Sequence, residues 1–401
     1  MMLANPLVAR LSVEDHLLLA SARVTMSPMQ AQAIPDLARA VTNWEHLLAM
    51  AHRHRVIPLL SRALRRVAPA DVPTSVLETL RAEGAAIARR NLLLTRELLS
   101  LLKRFDEHGI RAVPIKGPVL AMLAYQDVSL RQFGDLDMLL NAGDVARARA
   151  LLEAEGYIPK FQLAAPQEDA FITYQHDYPL YHSGKDIVLE LHSGIKPKFY
   201  AISLDHKDLW AGLSGISIGG QQIPCLTLED QLLTLCIHGT SHSWERLFWI
   251  VDIAELLSMT REVDWSRLLA RARRLGCHRI VLLGLALAHD LLDAPLSEML
   301  CHAIREDRQI LRLEQQVVEQ LFFINAEMVE GVKQFRFYMA ARERWLDRVC
   351  YGLHLALDPT INDWKVLSLP STASFLYYVI RPLRLMAMQF GTMSRNKKSS
   401  I

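Results

Sequence analysis

Two aspartates one residue apart stand at the start of an apolar run. Asp135 and Asp137 open the segment DLDMLL, which has the composition of a buried β-strand. Because residues i and i+2 of a strand point to the same side, the two carboxylates are expected to lie together. Such a pair repels unless a cation lies between its members, and Mg²⁺, with Mn²⁺ as an alternative, suits them. The competing interpretation is a solvated turn before a strand.

A third carboxylate is expected from the segment DIVLELH. Val188, Glu190 and His192 share one face of this strand, while the residues between them are apolar. If this strand lies beside the one that carries Asp137, Glu190 completes a metal site and is a candidate base. Otherwise Glu190 is an edge-strand acid that faces water. His192 either orients a carboxylate or covers the sheet.

Lys116 and Gly117 follow a short β-type run, IRAVPI, and precede a predicted helix. A glycine at this place lets backbone N–H groups approach a phosphate, although Pro118 removes one donor. Lys116 and Arg131 are candidates for neutralising phosphate oxygens. The alternatives are a surface lysine and an Arg131 that pairs with Asp135 to order the loop.

Three further polar residues lie on predicted helices downstream. His238 and His242 are four residues apart, a spacing that can bind zinc, but hydrogen bonds across to the preceding domain are the favoured interpretation. Asp252 lies among apolar residues and is expected to be buried beside a cation, with Arg246 as one candidate. A general base for an acceptor hydroxyl is the other role considered for Asp252.

The elements that must position these residues divide the chain into four regions. Residues 1–108 are predicted to be helical, and 109–226 alternate strands and helices before two hairpins. Residues 227–300 are predicted to form a helical domain packed on this core, and 301–401 a C-terminal helical region with a basic tail. The fold class is therefore α+β, a small mixed-sheet core flanked by helical regions.

Composition narrows the class of protein. The 401 residues include 45 Lys and Arg against 43 Asp and Glu, so no nucleic-acid partner is expected. Five scattered cysteines and no Cys-x-x-Cys pair predict reduced side chains and a cytoplasmic location, with no signal peptide or membrane span. After Asp363 only basic charges follow, which allows peripheral contact with an anionic membrane or, alternatively, a docked helix with a frayed tail.

Several segments together resemble the uncharacterised nucleotidyltransferase family of bacteria, within the polymerase β-like superfamily. They are IKGPVLAMLAY, LRQFGDLDMLL, DIVLELH, HGTSHSWERLFWIVDIAELL and NWEHLLAMAHRHRVIPLL. The matching residues of the first three are Lys116, Gly117, Ala121, Tyr125, Arg131, Asp135, Asp137, Glu190 and His192. The resemblance implies a nucleotidyltransferase core framed by helices. It also implies transfer of a nucleoside monophosphate from an NTP, with pyrophosphate leaving.

The acceptor stays open, because the resemblance does not imply one. A sugar phosphate, another small molecule and a protein side chain are all compatible with the sequence. The superfamily usually has Gly-Ser after its first strand, whereas this chain has Gly117-Pro118. A non-catalytic nucleotide-binding or scaffold protein that keeps the fold is therefore the alternative, and a protein-modifying enzyme is the third hypothesis.

Overall fold

The computed structural model describes residues 8–161, 176–195, 200, 202, 206–259, 263–323, 331–360, 363–364, 367, 369 and 371–385. Within them the N-terminal region is helical, as predicted. Its helices are α1 (Val13–Ser21), α2 (Pro28–Ala40), α3 (Trp44–Arg53), α4 (Ile57–Val67) and α5 (Thr74–Glu107), after a 3₁₀ turn at Val8–Arg10. Gly109 has φ +64°, the left-handed conformation expected of a glycine that ends a long helix.

A five-stranded mixed sheet follows, and it confirms the predicted α+β class. Its strands are β1 (Ala112–Pro114), β2 (Asp135–Leu140), β3 (Ile158–Pro159), β4 (Asp177–His182) and β5 (Ile187–His192). They lie in the order β1-β2-β5-β4-β3, and only the β2–β5 pair is parallel. Between β1 and β2 the predicted helix is α6 (Gly117–Leu120), continued by a π-helical turn at Ala121–Tyr125. A 3₁₀ turn (Ala142–Asp144) and α7 (Val145–Ala154) lie between β2 and β3.

The remaining elements are a small hairpin and a second set of helices. After α8 (His206–Ala211), the strands β6 (Ser214–Ile218) and β7 (Gln221–Cys225) pair around Gly219 and Gly220, as predicted. The helices that follow are α9 (Leu228–Ser241), α10 (Leu247–Met259), α11 (Trp265–Arg274), α12 (His278–Leu292), α13 (Glu298–Glu306), α14 (Arg308–Phe322), α15 (Gly331–Ala341) and α16 (Trp345–Leu357), with a 3₁₀ turn at Ser371–Leu376.

The two faces of the sheet have different surroundings. Leu136, Met138 and Leu140 of β2 pack into a core that also contains the apolar side of α5, for example Leu98 and Phe105. The opposite face carries Asp135 and Asp137, which are one residue out of phase with those three apolar residues. One face of the sheet is thus covered by α5, whereas the other carries the two acids and also packs Leu139 and Val113 against a second core.

A second, larger core joins the helical regions. It contains residues from all four predicted regions, including Leu17, Val113, Ile250 and Val317. Because apolar burial of this kind is continuous, the helical regions are held against the sheet rather than tethered to it. No helix among the described residues is long and apolar enough to cross a membrane.

The predicted basic C-terminus falls partly within the described chain. Arg381 and Arg384 both donate to the buried carboxylate of Asp363, at 2.8 and 2.6 Å. These two arginines therefore hold the C-terminal segment in place. Arg395, Lys397 and Lys398, on which the expected membrane contact also depends, lie outside the described residues.

Candidate active site

Three carboxylates project from neighbouring strands into one cavity. The strands β2 and β5 run parallel, with Asp137 opposite Glu190 and Asp135 opposite Val188. The cavity has a volume of about 470 Å³, and the three acids line it. The condition set by the sequence, that the Glu190 strand should lie beside the Asp137 strand, is therefore met.

Asp137 is the best-compensated acid of the three. His192 approaches its Oδ1 atom at 2.9 Å through Nε2, and the Lys116 ammonium donates to the same oxygen at 3.4 Å. Burial alone would raise the pKa of Asp137, but the charge of Lys116 and the hydrogen bond with His192 outweigh it and lower that pKa. His192 thus orients a carboxylate, one of the two roles considered for it.

For Asp135 and Glu190 the net effect on the pKa is the reverse of that for Asp137. Burial raises the pKa of both groups, and the negative charge of Asp137 raises each of them further. Their ionised forms are therefore destabilised in the protein without an added cation. A buried set of acids whose charges are incompletely neutralised is the environment in which a divalent ion binds.

The donor atoms fit such an ion. One ligand atom each from Asp137, Glu190 and His192 lies within 4.8 Å of the other two. Two of the three donors are carboxylate oxygens, and Asp135 adds another carboxylate on the same strand face. Asp135, Asp137 and Glu190 would hold the metal, and His192 would orient Asp137 through its hydrogen bond.

Gly117 and Lys116 stand beside the carboxylates at the end of β1. Gly117 has φ +54°, which a residue with a Cβ atom adopts only under strain, and its Cα faces the backbone carbonyl of Asp135. Ile115 N donates to Asp137 O at 3.2 Å, which fixes this turn against β2. Lys116 consequently reaches the site from the strand next to β2.

Arg131 is held in a buried network. Its guanidinium donates from Nε and Nη2 to the two carboxylate oxygens of Asp252, at 2.7 and 2.8 Å. The hydroxyl of Tyr125 donates to the same carboxylate at 2.7 Å. Burial would lower the pKa of Arg131, but the charge of Asp252 raises it overall.

This network changes two interpretations of the sequence. The cation paired with Asp252 is Arg131, not Arg246. Because the Asp252 side chain is fully buried and both its oxygens accept hydrogen bonds, a role as base for an acceptor has no support in this arrangement. Arg131 lines the cavity, and its bidentate pair is with Asp252.

An aromatic cluster forms the helical wall of the cavity. The imidazole of His242 stacks on Trp249, with ring centroids 5.1 Å apart, and His238 meets the same indole edge-on at 5.5 Å. Among the described residues, the clustered metal-binding side chains do not include either histidine. The pair therefore belongs to the wall of the site, and the structure gives no support to a zinc site there.

Sequence reasoning did not select Arg55, which the N-terminal region contributes to the cavity. Arg55, in the turn between α3 and α4, lines the cavity together with Glu245 and Arg246 from the turn between α9 and α10. Arg55 has φ +56°, an uncommon conformation for a non-glycine residue. The only signal in the sequence was the basic run HRHR between two apolar stretches, inside a segment already noted as resembling the family.

A small mixed sheet that presents carboxylates from two parallel strands to a cavity roofed by helices defines a nucleotidyltransferase-type core. The chain belongs to the family described as uncharacterised nucleotidyltransferase, whose model matches residues 40–293. This match confirms the resemblance found in the sequence. It also assigns the protein, at the level of its class, to the transferases that move nucleotidyl groups.

Comparison with solved structures finds the crystal structure of the lincosamide antibiotic adenylyltransferase LnuA with lincomycin bound. Its sequence is 21% identical, the TM-score is 0.29, and the match covers 41% of this chain and 97% of that chain. No curated protein matches the chain significantly.

Proposed function

We propose that the protein is a Mg²⁺-dependent nucleotidyltransferase that moves a nucleoside monophosphate from an NTP to an acceptor hydroxyl or phosphate. The observation that carries this proposal is the register of β2 and β5, which sets Asp137 opposite Glu190 with Asp135 on the same face. Free cysteines at 225, 236, 277, 301 and 350 suit a reducing cytoplasm, where NTP and Mg²⁺ are available.

The reaction needs positioning and charge more than covalent help from the protein. An oxygen of the acceptor forms a bond to the α-phosphorus, the bond from that phosphorus to the bridging oxygen breaks, and pyrophosphate leaves. When the acceptor is a hydroxyl, Glu190 takes its proton. A bound metal ion would neutralise phosphate oxygens and the developing negative charge.

The other residues of this site prepare that arrangement. His192 holds one oxygen of Asp137 and leaves the second for the metal. Lys116 places a positive charge beside Asp137 at the end of β1, where it can also meet a phosphate oxygen. The acids lie on the sheet and Lys116 lies in the turn directly after β1, so the sheet gives rigid support to a site that must be held within fractions of an ångström.

The first experiment measures Mg²⁺-dependent binding of ATP, CTP, GTP and UTP by calorimetry. The wild type is compared with the double variant Asp135→Ala/Asp137→Ala, whose folding is checked by circular dichroism. We expect binding of at least one NTP by the wild type and none by the folded variant, because these acids would hold the cation that neutralises the phosphates. Equal binding by both proteins would contradict the site.

Catalysis is tested separately by release of pyrophosphate with sugar phosphates, small alcohols and proteins as acceptors. Label transfer from α-labelled NTP onto a protein band would identify a protein acceptor. If NTP binds at the carboxylates but pyrophosphate is never released, the protein is the non-catalytic nucleotide-binding alternative. The replacement of the usual Ser by Pro118 is the feature that favours this second candidate.

A further inference from the structure

Among the described residues, four arginine or lysine side chains line the cavity, and their charges are paired with carboxylates to different degrees. Lys116 is bound to Asp137, and Arg131 is bound to Asp252. Arg246 has a long contact of 3.8 Å with its neighbour Glu245 and is more than a third exposed. Among the described residues, the guanidinium of Arg55 makes neither a hydrogen bond nor an ion pair.

Arg55 is nevertheless held firmly in place. The preceding residue, His54, accepts a hydrogen bond from Phe248 N at its carbonyl oxygen (3.3 Å) and another from Leu247 N at Nδ1 (3.2 Å). The guanidinium lies over the ring of Phe248, 5.4 Å from its centroid. The two hydrogen bonds to His54 and the ring of Phe248 thus orient a cation whose N–H groups have no acceptor among the described residues.

The surroundings of Arg55 destabilise its positive charge. Burial lowers the pKa of Arg55, and the positive charge of Arg246 lowers it further. The largest opposing contribution is the charge of Asp135, which raises the pKa of Arg55. An oriented, half-buried guanidinium with a like charge beside it is stabilised when an anion enters the cavity.

We propose that Arg55 and Arg246 form a phosphate clamp that binds the polyphosphate of the donor nucleotide opposite the carboxylates. This assignment rests on the proposed function and deepens it. A guanidinium matches two phosphate oxygens at once, which a lysine cannot do. The clamp supplies N–H donors to the phosphates where the Gly117-Pro118 turn lacks one, because proline has no backbone N–H. It also makes the N-terminal helices part of the active site.

The test compares Arg55→Gln, Arg55→Lys, Arg246→Gln and the double variant Arg55→Gln/Arg246→Gln with the wild type. Arg65→Gln serves as the matched control, since Arg65 is an exposed arginine on α4 close to Arg55 in the sequence. Calorimetry with Mg²⁺ measures the Kd of the NTP, of the corresponding nucleoside and of inorganic tripolyphosphate. Thermal unfolding confirms that each variant is folded.

We expect the Kd of the NTP and of tripolyphosphate to rise at least tenfold in Arg55→Gln and more in the double variant. The Kd values of Arg55→Lys should lie between those of the wild type and of Arg55→Gln. The affinity of every variant for the nucleoside, and of Arg65→Gln for all three ligands, should equal that of the wild type. Unchanged binding of both phosphate ligands in folded Arg55→Gln would overturn the clamp. If the variants lose tripolyphosphate binding but bind the NTP as the wild type does, the clamp does not hold the donor nucleotide. That result would point to a phosphorylated acceptor.

The two proposals fail in different ways. A wild type that binds tripolyphosphate in an Arg55-dependent manner, but no NTP, would refute the proposed function and the donor assignment while leaving a phosphate site. A wild type that binds NTP through the carboxylates but not through Arg55 would refute the clamp alone.

Discussion

Asp135 and Asp137 share one face of one strand, yet their surroundings give them opposite energetic effects. Asp137 has both Lys116 and His192 within contact distance, which lowers its pKa. The pKa of Asp135 is raised by burial and by Asp137 itself. Asp137 therefore stabilises the metal-free fold. Asp135 lowers the stability of that fold and is retained for its function.

The variants Asp135→Asn and Asp137→Asn should separate these effects. Both should lower nucleotidyl transfer by at least about 100-fold, because each removes a metal-binding charge from the transition state. In the presence of EDTA, however, Asp137→Asn should lower the free energy of unfolding, since Lys116 and His192 lose their partner. Asp135→Asn should raise it by on the order of 1 kcal/mol, because a like charge is removed.

Thermal and urea unfolding with EDTA provide the measurement. Asp106→Asn is the matched control, since Asp106 is an exposed acid on α5, and it should change neither stability nor activity appreciably. A destabilised Asp135→Asn would show that the charge distribution described for the site is wrong.

At the scale of elements, the start of α10 depends on a side chain from another region. The first N–H groups of a helix lack intrahelical partners. Here Leu247 N donates to Nδ1 of His54, and Phe248 N donates to the His54 carbonyl. His54 is fully buried, and burial together with the charge of Arg53 lowers its pKa to about 3. The imidazole is therefore neutral when it caps α10.

This cap predicts a specific pH dependence. An unfolded histidine binds a proton below about pH 6.5, whereas folded His54 resists protonation until about pH 3. Its contribution to stability is thus complete above about pH 6.5 and is lost progressively as the pH falls through this window. Between pH 7 and pH 5 we expect this one group to lower the free energy of unfolding by about 2 kcal/mol.

Urea unfolding of the wild type and of His54→Asn at the two pH values isolates the contribution. Asparagine keeps an acceptor oxygen near the position of Nδ1 but does not titrate. The loss between pH 7 and pH 5 should be smaller in His54→Asn by about 2 kcal/mol. Equal losses in both proteins would mean that His54 is not held neutral.

At the scale of the whole molecule, the buried network around Asp252 joins the sheet core to the helical region. Arg131 lies in the segment that leads into β2, Tyr125 ends the π-helical turn, and Asp252 is on α10. Asn91 of α5 donates to the carbonyl oxygen of Arg131 at 2.8 Å, so a third element holds the same loop. The network thereby sets where β2 presents its acids relative to the helical wall.

A double-mutant cycle on Arg131 and Asp252 tests this coupling. Arg131→Met and Asp252→Leu should each cost about 3–5 kcal/mol, because each leaves a buried charge unpaired. The double variant should cost less than the sum of the two, by as much as about 3 kcal/mol. The surface pair of Arg147, which is exposed, and Asp144, which is partly exposed, is the control, and its coupling should stay below about 1 kcal/mol. Additive losses at Arg131 and Asp252 would contradict the proposed coupling.

The sequence by itself determined those features that depend on near neighbours in the chain. Two-residue alternation predicted β2 and β5 and placed Asp135 and Asp137 on one face, because side chains of a strand alternate by sterics alone. Turn residues predicted both hairpins, and Gly109 marked the end of α5. Helical periodicity predicted the flanking regions in the same way.

Only the tertiary structure decided which distant residues meet. The parallel pairing of β2 with β5 converts three separate acids into one site, yet neither strand encodes its partner. Asp252 lies 121 residues from Arg131, and each residue alone was compatible with several partners. Arg55 enters the cavity because apolar burial docks the N-terminal helices on α10, and such non-local packing depends on the whole chain and not on any local pattern.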